Sequence, residues 1–292
     1  MKDLANRVAV VTGGASGIGR GMAECFAAEG MKLVLADVEE EALARTVADL
    51  ESQGARAVGV RCDVSKPEEV ASLARETLDT YGAVHVLCNN AGVLSANGRT
   101  LWEASLDDWS WVLGVNLMGV VHGIRTFVPL MIEQGDEGHI VNTSSMAGLV
   151  SGLGTYGVSK HAVVSMSESL FGELKNRETR IGISVLCPGW IKTRIMQSER
   201  NRPEAPRDDP GEMAPEAEAV LEIIEGLVAS GLDPIDVGKL VVESIKEERF
   251  YILTHPTWKE MVRQRAENIT EGRDPVGLAP AGEDWGELLS QM

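Results

Sequence analysis

A run of small residues, Gly13-Gly14-Ala15-Ser16-Gly17-Ile18-Gly19, narrows the choice of fold more than any other stretch of the chain. Before it, Arg7 to Thr12 (RVAVVT) is a short β-branched run that reads as a buried strand. After it, Arg20 to Glu29 has helical patterning. Strand, glycine-rich turn and helix in that order favour nucleotide binding, because backbone N–H groups at a helix N-terminus can approach a pyrophosphate. The spacing is GxxxGxG rather than GxGxxG, and a purely structural turn is the other reading.

The same alternation continues along the chain. Strands are expected at Met31 to Ala36, Arg56 to Arg61, Val84 to Cys88, Gly138 to Thr143, Ile181 to Cys187 and Arg249 to Leu253. Helices are expected at 39–53, from Pro67 through Tyr81 with Ser65 as N-cap, and at 106–133, 156–175, 216–229, 233–247 and 257–269. Seven strands alternating with helices give an α/β fold: one single-domain, Rossmann-like, doubly wound parallel sheet with helices on both faces. Residues 1–270 form that domain and 271–292 a C-terminal extension. The proline-rich, charged stretch 194–231 reads as a mobile lid over the substrate.

Ligands of such sheets bind beyond the strand carboxyl ends. Asp37 ends the second strand, 18 residues after Gly19, where a carboxylate can accept hydrogen bonds from an adenosine ribose. A 2′-phosphate would face its charge, and Val38-Glu39-Glu40-Glu41 offers no basic residue, so NAD is favoured over NADP. Capping the following helix is an additional role for Asp37. Asn89-Asn90-Ala91-Gly92 follows the fourth strand, Ser144-Ser145 the fifth and Pro188 to Thr193 the sixth. The asparagine pair is also compatible with a plain turn. Asn116, inside an apolar helix, needs a hydrogen-bond partner.

Tyr156 and Lys160 lie four residues apart, so they share one helix face. A lysine there favours the phenolate and is expected to lower the tyrosine pKa for acid–base work. Alone, the spacing fits a surface tyrosine beside a solvated lysine equally well. Its convergence with the other strand ends is what gives it weight.

With 44% hydrophobic residues the chain has the composition of a folded globular protein. Its net charge of −17 argues against nucleic acid and anionic membranes as partners. No uninterrupted apolar run reaches the roughly 18 to 20 residues of a membrane span, and the first residues lack a signal-peptide core. A cytoplasmic location is expected. Cys25, Cys62, Cys88 and Cys187 form no CxxC pair and read as buried structural thiols. The five histidines have no metal-binding spacing, so no metal is expected. His122 and His161 read as helix-packing residues.

Together these motifs resemble the single-domain short-chain dehydrogenase/reductase family over about residues 7 to 255. They are Thr12-Gly13-x-x-x-Gly17-x-Gly19, Asp63, Asn89-Asn90-Ala91-Gly92, Asn116, Ser145, Tyr156-x-x-x-Lys160 and Pro188-Gly189 with Thr193. The resemblance implies reversible hydride transfer between a nicotinamide ring and an alcohol or ketone. It implies that Tyr156 passes the proton, Lys160 tunes it and bonds the nicotinamide ribose, Ser145 holds the substrate oxygen and Asn116 holds a relay water. Cofactor binding would fall to Gly13, Ser16, Gly17, Ile18, Gly19, Asp37, Asp63, Val64, Asn89, Ala91, Gly92, Tyr156, Lys160, Pro188, Gly189, Ile191 and Thr193. The step from Ser145 to Tyr156 is two residues shorter than is usual in the family, which leaves Ser144 as an alternative. Val93, Leu94, Met146, Leu153, Trp190 and Met196 would wall a pocket for a lipophilic alcohol or ketone. A homodimer or homotetramer is implied by resemblance alone. A non-catalytic dinucleotide binder of the same fold is the alternative, and a sugar-nucleotide epimerase is disfavoured by the glycine spacing.

Overall fold

Each of the seven apolar runs becomes a strand: β1 (Val8–Thr12), β2 (Lys32–Asp37), β3 (Arg56–Arg61), β4 (Val86–Asn89), β5 (Gly138–Thr143), β6 (Ile181–Cys187) and β7 (Tyr251–Leu253). The computed structural model describes residues 1–203 and 215–275. The strands form one sheet in the order β3-β2-β1-β4-β5-β6-β7, and every pairing is parallel. Strand order reverses between β1 and β4, and a crevice opens there at the carboxyl ends.

The helices are α1 (Gly17–Ala28), α2 (Glu40–Ser52), α3 (Pro67–Tyr81), α4 (Leu106–Leu113), α5 (Gly119–Gln134), α6 (Gly154–Asn176), α7 (Pro215–Ser230), α8 (Pro234–Glu247) and α9 (Lys259–Thr270). They cover both faces of the sheet. Ala9 and Val11 of β1 point to one core, with Met22, Phe26, Val241 and Ile245 of α1 and α8. Val8 and Val10 point to the other, with Leu73, Phe127, Met131 and Leu170 of α3, α5 and α6. Burial on both faces explains why the strands read as unbroken apolar runs. Helices α1 and α8 pack backbone to backbone, since a Cβ on Gly21 would stand 2.3 Å from the Pro234 carbonyl oxygen.

Two helix starts differ from expectation. Ser65 does not cap α3; its hydroxyl donates to Asp63 Oδ1 at 2.7 Å, and Lys66 occupies the cap position. Asp37 accepts from Glu39 N (3.1 Å), but the residue at the cap of α2 is Glu39. Helices α4 and α5 are joined by a π turn, Gly114–Met118, into one rod from Leu106 to Gln134. This rod of 29 residues contains an 18-residue stretch with a mean hydropathy of 1.4, so it is long and apolar enough to cross a membrane by length and composition alone. Here its buried residues Val112, Asn116, Val120, Phe127 and Met131 face the rest of the protein.

One buried histidine makes the fold acid-sensitive. His139 on β5 is fully enclosed, and its Nε2 lies 2.8 Å from Ser184 Oγ. Ser184 spends its own proton on the Arg249 carbonyl (2.6 Å), so Nε2 is the donor of the pair and Nδ1 has no partner. Burial pulls the imidazole down to about 3. Between that value and an unfolded pKa of about 6.5 the unfolded chain binds the extra proton, so stability falls as pH falls through this window. Urea midpoints measured across it are expected to drop in the wild type and to drop less in His139→Leu.

Candidate active site

The crevice is a cleft of about 670 Å³ that runs from the glycine turn and Asp37 at one end to Tyr156, Trp190 and α7 at the other. Thr12, the last residue of β1, ties its floor together. Its hydroxyl accepts from Asn90 N (2.9 Å) and Ala91 N (3.1 Å) and donates to the Cys88 carbonyl. The backbone at Gly13 has φ +66°, and a Cβ there would stand 2.9 Å from Ala91 Cα, so the two turns touch. Ser16, at the N-cap of α1, makes no side-chain capping bond. Gly13, Ser16, Gly17 and Ile18 therefore line the cleft around a helix N-terminus not capped by its own side chain, which suits an anionic diphosphate.

Asp37 binds the same turn from β2, with Oδ2 accepting from Ala15 N at 3.0 Å. Burial pushes its pKa up, against the pull of these backbone donors. Asp63 and Val64 line the cleft next to it. Ala91, Gly92, Pro188, Gly189, Ile191 and Thr193 line its middle, where Thr193 reaches to 3.0 Å from a Cβ built on Gly17.

Two residues from the cofactor set lie off the cleft. Asn89 is buried, and its Nδ2 donates to Asn142 Oδ1 at 2.9 Å. Successive side chains of a strand point to opposite faces, so the amide that reaches the cleft is Asn90. Asn90 donates to the Thr12 carbonyl and accepts from Thr143 Oγ1. Gly19 sits under the turn instead of facing the cleft; a Cβ there would meet the Gly13 carbonyl oxygen at 2.0 Å. Thr12 and Asn90 were present in the motifs but carried no chemical signal of their own, because their work is to join two strand ends distant in sequence.

The reactive groups meet where β5 runs into α6. Tyr156 and Ser145 both line the cleft there, and Ser145 Oγ donates to the Pro188 carbonyl at 3.4 Å. Ser145 also accepts from Ala147 N (3.1 Å), whereas Ser144 turns away and donates to the Lys160 carbonyl (2.7 Å). Geometry thus favours Ser145. The short connection is accommodated by tight backbone: Leu153 adopts φ +61°, and the Gly152 carbonyl oxygen lies 2.0 Å from where a Gly157 Cβ would stand. Lys160 is buried, its Nζ 5.5 Å from the Tyr156 ring centroid and donating to the Thr143 carbonyl at 3.0 Å.

The electrostatics differ from the simple expectation. Burial raises Tyr156 to about 12, with the neighbouring Ser145 hydroxyl as the opposing influence, and burial lowers Lys160 to about 8. Desolvation, not the lysine, is the dominant influence on the phenol.

Asn116 lies in the π turn, fully buried and outside the cleft lining. Its Oδ1 accepts from Val93 N (2.8 Å) and its Nδ2 donates to the Val93 carbonyl and Ser159 Oγ. Both Asn116 Oδ1 and Lys160 Nζ come within 3.4 Å of a Cβ built on Gly92, so they flank the same point. Of the expected pocket walls, Val93, Leu94, Leu153, Trp190 and Met196 line the cleft, while Met146 is fully buried core. His122 contacts the Val64 carbonyl and His161 that of Gly157, both as packing groups. All four cysteines are free and buried.

A family described as short chain dehydrogenase matches residues 7–204. A 1-deoxy-11-beta-hydroxypentalenate dehydrogenase of Streptomyces exfoliatus is 37% identical, covering 97% of this chain and 95% of its own. A C alpha-dehydrogenase of Sphingobium sp. is 34% identical over 97% of this chain and 91% of its own. A short chain dehydrogenase/reductase of Burkholderia phymatum, crystallised in complex with NAD, superposes with a TM-score of 0.91 at 49% identity, covering 94% and 98%. The chain belongs to the short-chain dehydrogenase family. Within it, the protein is an NAD(P)-dependent oxidoreductase of the kind that acts on hydroxyl groups, and the non-catalytic alternative has no support.

Proposed function

We propose that this protein oxidises a bulky, apolar secondary alcohol with NAD, and reduces the corresponding ketone in reverse. One observation carries the reading: Tyr156, Ser145 and Lys160 line one end of a cleft whose other end is a helix N-terminus without a side-chain cap, beside Asp37. Gly13, Ser16, Gly17 and Ile18 would hold the pyrophosphate, Asp37 the adenosine ribose, Asp63 and Val64 the adenine, and Ile191 with Thr193 the carboxamide. When bound, the nicotinamide ring supplies the hydride chemistry.

The chain's own task is to orient one carbon–oxygen bond and to manage one proton. The hydroxyls of Ser145 and Tyr156 grip the substrate oxygen. During oxidation Tyr156 takes the hydroxyl proton, and during reduction it returns one. Below about pH 8 Lys160 is largely charged and attracts the phenolate as it forms. The shared position of Asn116 and Lys160 beside Gly92 supports a relay through which the proton leaves. Val93, Leu94, Trp190 and Met196 exclude water from this end.

Free buried thiols are consistent with a cytoplasmic enzyme. Exposed Met118, Val158 and Phe171 on the rod and on α6 support a homo-oligomer. The function is tested by following NADH formation with cyclohexanol, phenylethanol, a hydroxysteroid and a hydroxylated long-chain acid. Turnover is expected to favour the bulky members. Oxidation confined to small, polar alcohols would refute the substrate class.

A further inference from the structure

The segment that follows Thr193 is bolted across the cleft at two separate points. At the dinucleotide end, Glu39 receives Arg194 (3.0 Å), Arg200 (2.7 Å) and Asn201 (3.1 Å). At the alcohol end, Arg202 donates to Asp108 Oδ1 at 2.7 Å, and its guanidinium lies 4.7 Å from the Trp111 ring centroid. Between them, Ser198 Oγ accepts from Leu94 N at 3.1 Å.

These two bolts are physically unequal. Glu39 and its arginines are exposed to solvent in part, so water and salt screen them. The Arg202–Asp108 pair is nearly dry, with side chains 11% and 5% exposed. Asp108 is also fully engaged: it accepts from Ser95, Asn97 and Ser105 as well as from Arg202, and it completes the capping box of α4. Asp108 is thereby held rigidly by α4 and the 95–105 loop, and a planar guanidinium between a fixed carboxylate and an indole has one seat. Asp108 and Trp111 both line the cleft, as do Met196 and Ser198 from the bolted segment.

We propose that Arg202 is a positioning residue for the alcohol half of the reaction. Seated on Asp108 and Trp111, it holds the segment Ile195–Asn201 down so that Met196 and Leu94 press the substrate toward Tyr156. This rests on the alcohol-oxidising reading above. Arg202 itself touches neither the cofactor end nor the Tyr156–Ser145 pair.

The test uses the full chain with Arg202→Met, which keeps length and apolar packing but removes the fork, and Arg202→Lys, which keeps only the charge. With the best alcohol of the panel, both variants are expected to raise KM by roughly ten- to a hundredfold, the range spanned by one charge-assisted hydrogen bond. The dissociation constant for NAD, read by tryptophan quenching, should not move, and kcat should change much less than KM. Amide exchange should accelerate within 195–201 and not within α1. Asp108→Asn combined with Arg202→Met should be less than additive, as for a pair acting together. Should the loss of a buried partner impair folding, Ser198→Ala removes the middle pin without burying a charge and is expected to raise KM in the same direction. Unchanged KM and unchanged exchange in Arg202→Met would overturn the proposal, as would parallel losses in NAD affinity and KM. Absence of turnover with every alcohol would count instead against the enzymatic reading, and the exchange measurement would still decide this one.

Discussion

Tyr156→Phe is expected to lower turnover by roughly a hundred- to ten-thousandfold, the usual contribution of a positioned acid–base group. NAD affinity should remain at the wild-type level, because the ring still fills its place and the dinucleotide end of the cleft is untouched. The substitution deletes the hydroxyl beside Ser145 and leaves Lys160 donating to Thr143. Burial holds the phenol near 12, so in the wild type oxidation should climb with pH as the deprotonated form becomes accessible. Ketone reduction draws on the protonated form and should not climb. Steady-state kinetics in both directions, with a separate NAD titration, checks both statements. A companion pair separates the serines: Ser145→Ala should be severely impaired, whereas Ser144→Ala should lose mainly stability through its bond to the Lys160 carbonyl.

The second large effect concerns the choice of dinucleotide. NAD is expected to bind more tightly than NADP by about two to three orders of magnitude, since like charges about 4 Å apart near a protein surface repel by up to about 4 kcal/mol. Asp37 cannot simply be truncated to show this, because its two oxygens accept from Ala15 N and Glu39 N and so shape the glycine turn. Asp37→Asn keeps an acceptor while removing the charge. It should weaken NAD modestly, strengthen NADP and close most of the gap in parallel titrations. Equal affinities in the wild type would remove the role given to Asp37.

Much of this was legible in the sequence because strand ends in a parallel sheet are marked locally. An apolar run followed by glycine, asparagine, serine or Pro-Gly identifies both the strand and the ligand edge it serves. Residues that depend on pleat or distance were not legible. Asn89 and Asn90 are chemically identical neighbours, and only the pleat of β4 sends one to Asn142 and the other to the cleft. Met146 reads as a pocket wall from its place after β5, yet the short loop before α6 folds it into the core. The pair of Asp108 with Arg202 joins positions 94 residues apart, with no periodicity to announce it. The tyrosine pKa depends on how completely the site is dried, a property of the assembled cleft and not of the YxxxK spacing.

If Tyr156 and its neighbours handle only the proton, the carbinol hydrogen would leave with the bound nicotinamide and not with water. The panel alcohol that turns over best, deuterated at its carbinol carbon, should be incubated with NAD and the wild-type enzyme. Deuterium recovered at the reduced nicotinamide carbon, with none released to water, is the expected result. Label appearing in solvent, or ketone formed without labelled NADH, would contradict it.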